Sequence, residues 1–95
     1  MATYLILTRL DPAAVSDPTE LKTIAETVKT KIKERCPGVH WKDSYATLGQ
    51  FDVIDVVEGD DPKEVERAAM IIRSYGHGST ETLLATPWQE FLDAM

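Results

Sequence analysis

Asp55 stands out first, because it interrupts the otherwise apolar run Val53-Ile54-Asp55-Val56-Val57. An unpaired carboxylate is costly to bury, so this position needs either a local partner or a task. Two tasks fit: a general base in a water-poor site, or an anchor for a ligand. The local alternative is a pairing with Lys42 or Ser44 on a neighbouring strand. Tyr4, Thr8 and Ser44 carry hydroxyls that fall on the Asp55 side once the strands are aligned. Together with Asp55 they form a candidate ligand-binding set. His77 lies in the turn Gly76-His77-Gly78, where it is either solvent-exposed or an acid–base group at a cavity mouth. The candidate catalytic set is therefore Asp55, His77 and Tyr4.

The other reactive side chains point to less. His40, His77 and Cys36 show no close ligand spacing, so no metal is expected. No P-loop, dinucleotide fingerprint or nucleophile elbow occurs, and no cofactor is expected. Asp52 is read as closing a turn through backbone or Thr47 hydrogen bonds. Tyr45, Trp41 and Trp88 are read as packing or interface aromatics.

The elements that must position these residues follow from periodicity and punctuation. Thr3 to Thr8 is a short apolar run ended by Asp11-Pro12, which indicates a buried strand. Asp17-Pro18 opens a helix, and Leu21, Ile24, Ala25, Val28 and Ile32 give it one apolar face. Pro37-Gly38 ends it. Two further strand-like runs flank Gly49-Gln50, and the glycine allows the positive φ of a two-residue hairpin turn. Asp61-Pro62 opens a second helix with Val65, Ala68, Ala69 and Ile72 inward and Gly76 as its stop. Ser79 to Ala85 alternates as a fourth strand. Thr86-Pro87 repeats the start signal before Trp88, Phe91 and Leu92. The order β-α-β-β-α-β, with a short C-terminal helix, is the α+β ferredoxin-like arrangement with an antiparallel four-stranded sheet. Its first and third strands, the most continuously apolar, belong at the centre.

Composition narrows the function classes. Ninety-five residues with 43% apolar content fit one globular domain, 1–95. A net charge of −6 disfavours nucleic acid, whose phosphates need a basic surface. Lys29, Lys31, Lys33 and Arg35 form a local exception. They are read as a solvated helix face near the C-terminal end of the helix dipole. The single cysteine excludes an internal disulfide, and no apolar run approaches the length of a membrane span. Nor does the N-terminus resemble a signal peptide. The expectation is a cytoplasmic protein without a membrane or nucleic-acid partner.

Laying the strands in register pairs Leu48 with Phe51, Ala46 with Val53 and Ser44 with Asp55. With Leu5 and Leu7 assigned to the helices, the uncovered face displays Tyr4, Ile6, Leu48, Phe51, Val53 and Val57. Such a patch calls for a partner, and a second copy is the simplest cover. A homodimer or higher homo-oligomer is expected.

Tyr45-Ala46-Thr47-Leu48-Gly49-Gln50-Phe51-Asp52 resembles the signature of the GYD-domain family, with Phe51 where many members carry tyrosine. Thr80-Glu81-Thr82-Leu83 resembles the family's final strand, and Thr3 to Thr8 its first. The resemblance implies a dimeric α/β barrel in which two sheets face each other around a shared interior. Asp55 departs from it, standing where relatives usually have a small or apolar residue. The family is largely uncharacterised, so the resemblance brings no reaction.

Two functions remain open. One is a homodimeric small-molecule-binding or interaction module, with a cavity between the two sheets. The other is a cofactor-independent enzyme (an oxygenase, isomerase or hydrolase) using Asp55 as general base, which rests on fold analogy.

Overall fold

A computed structural model of the chain describes residues 1–13 and 17–95. The elements run β1 (Ala2–Leu10), α1 (Pro18–Arg35), β2 (His40–Ala46), β3 (Val53–Gly59), α2 (Pro62–Gly76), β4 (Gly78–Ala85) and α3 (Trp88–Asp93). The two aspartate–proline signals work as their chemistry requires. Asp17 accepts from the Thr19 amide at 2.9 Å and Asp61 from the Lys63 amide at 3.0 Å, each satisfying an amide that the first helical turn leaves free. The third signal does not cap. Pro87 occupies the cap position of α3 and offers no side-chain acceptor.

The strands form one sheet in the order β2-β3-β1-β4, with antiparallel neighbours, so the two most apolar runs are central. Ser44 faces Asp55 and Ala46 faces Val53, as the sequence predicts. The turn differs. The ladder stops at Ala46 and Val53, and Leu48, expected opposite Phe51, is fully exposed. Gly49 still supplies a positive φ of 146°. The loop closes on itself as expected of Asp52, whose carbonyl accepts from the Thr47 amide at 2.9 Å, and β1 holds it as well. The Asp52 amide donates to the Thr8 carbonyl at 2.9 Å, and the Asp52 carboxylate accepts from the Leu10 amide at 2.8 Å. Thr47 completes the loop, donating its hydroxyl to the Phe51 carbonyl at 2.6 Å. The Arg9 guanidinium lies 5.3 Å above the Phe51 ring.

The helices cover the opposite face from the one expected. Ile6 and Val57 are fully buried under them, Thr8 and Asp55 are buried beside them, and Tyr4 packs on the same core. Leu5, Leu7, Ile54 and Val56 are only partly buried on the open face, with Leu83 and Tyr45 exposed among them. The grouping of residues by face was correct, and the side that the helices cover was reversed. Both faces of β1 are apolar, so hydropathy cannot choose between them. The handedness of the β-α-β crossover does.

The two long helices are anchored unequally. α2 buries Val65, Ala68, Ala69, Ile71 and Ile72. It ends with His77 in the left-handed conformation, φ 52°, where Gly76 was expected to provide the stop. Gly78 follows because a Cβ there would sit 2.8 Å from the Arg9 carbonyl oxygen. α1 is different. Its backbone comes close to α2 but to no strand, and Ile32 is its only buried residue. Ile24 and Val28 are half-buried, while Leu21 and Ala25 remain exposed. The inward face expected for α1 therefore reaches the core only at its C-terminal end.

Candidate functional site

Because α1 stands off the sheet, a groove of about 1040 Å³ opens between it and the β2–β3 half. Val28 and Ile32 of α1 form one wall, Val53 part of the floor, and Trp41 and Ser44 the far side. Its size falls at the upper end of the small-molecule pocket range.

Asp55 lies in this groove and is 7% exposed. Its Oδ1 accepts from the Ser44 hydroxyl at 2.5 Å and from the Trp41 indole N–H at 3.0 Å. The indole also lies 3.1 Å from Ser44 Oγ. The local explanation for this carboxylate is thus realised through Ser44. Lys42 instead pairs with Glu58 at 3.4 Å, a contact half-exposed on the lysine side and worth little. Sequence reading missed Trp41 as a partner for a physical reason. Strict alternation puts residue 41 on the opposite face from residue 44. A β-bulge between Trp41 and Asp43 shifts the register and turns the indole toward Asp55. The sequence of this segment carries no glycine or other mark of that bulge.

Thr8 lines the same groove. It is 3% exposed, and its hydroxyl finds no hydrogen-bond partner among the described residues. Asp55, Ser44 and Thr8, three of the four ligand-binding candidates, therefore meet in one place. Tyr4 instead packs against the hydrophobic core. His77 is exposed at a separate, smaller depression with Arg73 and Arg9. The set Asp55, His77 and Tyr4 is not brought together in one cavity. The α1 cations also divide. Lys29 and Lys33, four residues apart, line the groove, whereas Lys31 and Arg35 lie 5.5 and 6.0 Å from the Tyr75 ring.

Cys36 lines the groove at the C-cap of α1 and is 1% exposed. Burial pushes its thiol up from the ordinary 9.0, with Arg67 opposing the shift. The folded thiol keeps its proton to higher pH than the unfolded one. Its contribution is therefore complete below the ordinary value and lost as pH rises above it. Iodoacetamide is expected to leave Cys36 unmodified in native protein at neutral pH and to alkylate it fully in denaturant. Rapid native labelling would show that the α1 end of the groove opens.

No group of His, Cys, Asp and Glu among the described residues is arranged to hold a metal. Likewise, no described helix is long and apolar enough to cross a membrane.

Comparison with known proteins agrees with this architecture. The GYD domain family model matches residues 4–95. Over 91 residues the chain is 35% identical to the glutamine synthetase and cystathionine beta-lyase binding protein of Thermus thermophilus, covering 92% of this chain and 90% of that protein. The crystal structure of the leucine response regulatory protein LrpA of Mycobacterium tuberculosis superposes with a TM-score of 0.63 over 90% of this chain, at 14% identity. This chain spans about half of that regulator, 51% of its length, and the likeness is one of fold.

Proposed function

Because the chain belongs to the GYD domain family, we propose that it is a homodimeric interaction module that binds other proteins. The observation that carries the reading is the open sheet face, where Leu5 and Leu7 lie beside Ile54 and Val56 with no helix over them. On such a face, apolar surface left in water favours association. A two-fold partner buries the same residues twice. Packing two such sheets face to face gives the dimeric barrel, with an apolar interior between the sheets. The polar candidates Thr8, Ser44 and Asp55 lie on the other side, beneath α1, whereas Glu81, opposite Leu7 on edge strand β4, and Glu58, opposite Thr3 near the end of β3, share the open face around its apolar centre. A protein-binding role is supported by the relative from Thermus thermophilus, whose name describes it as binding two enzymes. Further apolar surface is available on α3, where Trp88 and Phe91 stack at 5.7 Å, both exposed.

Sedimentation velocity tests both parts. The purified chain should sediment as twice 10.6 kDa at micromolar concentration, and a persistent monomer would overturn the dimer. Adding glutamine synthetase or cystathionine beta-lyase from the same host should move the protein into a faster boundary. If it stays behind with both enzymes, the protein-binding reading carried over from the relative fails.

A further inference from the structure

We propose that the groove between α1 and the β2–β3 half binds a small dipolar organic molecule, with an amine at one end, an acid group at the other and an apolar spacer between them. This site lies on the opposite side of the sheet from the open face, so it stands apart from the dimer.

The inner end of the ligand is set by Asp55. The two hydrogen bonds described for this buried carboxylate both come from neutral donors and both go to Oδ1. Neither described ion pair includes Asp55, and the nearest cation in sequence order on β2, Lys42, is engaged with Glu58. A buried carboxylate without a cation is an unbalanced charge, and an ammonium group with several N–H donors balances it. Thr8 adds the second requirement. An unpaired buried hydroxyl is destabilising, and the Thr8 hydroxyl in the same groove is relieved by a ligand donor or acceptor.

The outer end is set by charge of the opposite sign. Lys29 and Lys33 project from one side of α1 and both line the groove, where they suit a carboxylate or another small acid group. Val28, Ile32, Val39 and Val53 supply apolar lining in the same groove. A spacer of methylene groups gains free energy there by leaving water. Binding at one end alone leaves the other charge unanswered, so both ends of the ligand contribute to selection.

Titrating labelled protein with 6-aminohexanoate, hexanoate and hexylamine separates these contributions. Amide shifts are read by NMR, and Trp41 fluorescence is read in a Trp88→Phe background. The expected result is saturable binding of 6-aminohexanoate that perturbs Thr8, Trp41 and Asp55, with hexanoate and hexylamine each weaker by about tenfold or more. Thr8→Val removes a buried hydroxyl without changing side-chain shape. It should leave thermal stability equal or higher while weakening the probe several-fold. Lys33→Glu should weaken 6-aminohexanoate and hexanoate but spare hexylamine. The proposal is overturned if all three probes leave those residues unperturbed, or if Thr8→Val binds as well as wild type. It also fails if the same residues shift with protein concentration rather than with probe, because a second copy then occupies the groove.

Discussion

Leu7→Asp is expected to give a folded monomer, whereas Ile6→Asp, one residue earlier, is expected not to fold. The two positions carry similar aliphatic side chains on the same central strand. Ile6 is fully buried among Val57 and the α2 residues. A carboxylate there loses the burial of an isoleucine and enters the core without a partner, which costs more than about 4–5 kcal/mol. Total stability for a domain of this size is about 5–15 kcal/mol, so little or none remains. Leu7 lies opposite Ile54 on the open face and is half-buried within one chain. Replacing it costs the isolated chain about 1 kcal/mol in strand fit. In a two-fold dimer the loss occurs twice, at about 1.5–3 kcal/mol for each leucine, which raises the dissociation constant by about a hundredfold or more. Circular dichroism and sedimentation equilibrium on the two variants provide the measurement. If Leu7→Asp unfolds and Ile6→Asp folds, the helices cover the other face. If Leu7→Asp folds and remains dimeric, the contact lies elsewhere, for example on α3.

The second large effect is expected at Asp55. Asp55→Ala leaves the Trp41 indole and the Ser44 hydroxyl without their shared acceptor. An unsatisfied donor costs about 1–3 kcal/mol when fully buried, and less here because Trp41 and Ser44 keep some exposure to solvent. A loss of about 2 kcal/mol lowers the melting temperature by about 8–16 °C in a domain of this length. Asp55→Asn keeps a carbonyl oxygen for both donors and is expected to lose less than half as much. Paired melting curves decide the role. If Asp55→Ala melts as wild type does, the network contributes nothing to stability and the carboxylate is retained for its ligand alone.

How far the sequence reached can be judged from particular residues. Asp17-Pro18 and Asp61-Pro62 located both long helices to the residue, because capping is a local contact between an aspartate and the amide two positions on. The pairing of Ser44 with Asp55 was legible as well, since alternation on two adjacent strands with a fixed register leaves one answer. Trp41 was not legible, because the bulge that turns it toward Asp55 leaves no mark in the side chains around it. The reversed face was missed for another reason. Leu5 and Leu7 are as apolar as Tyr4 and Ile6, so each face offered helices an equally good seat.

By itself the sequence determined element order, central strands, helix starts and the sharing of one face by Thr8, Ser44 and Asp55. These depend on local capping and on period-two alternation, which act between residues close in sequence or across a single register. Only the tertiary structure decided which face the helices cover, because that follows from crossover handedness, a property of three elements at once. It also decided that the backbone of α1 runs closer to α2 than to the sheet, with Ile32 as its one buried residue in the core. The groove over Asp55 exists because α1 reaches the core only at its C-terminal end, and no periodicity within α1 encodes how far its N-terminal half stands from the sheet.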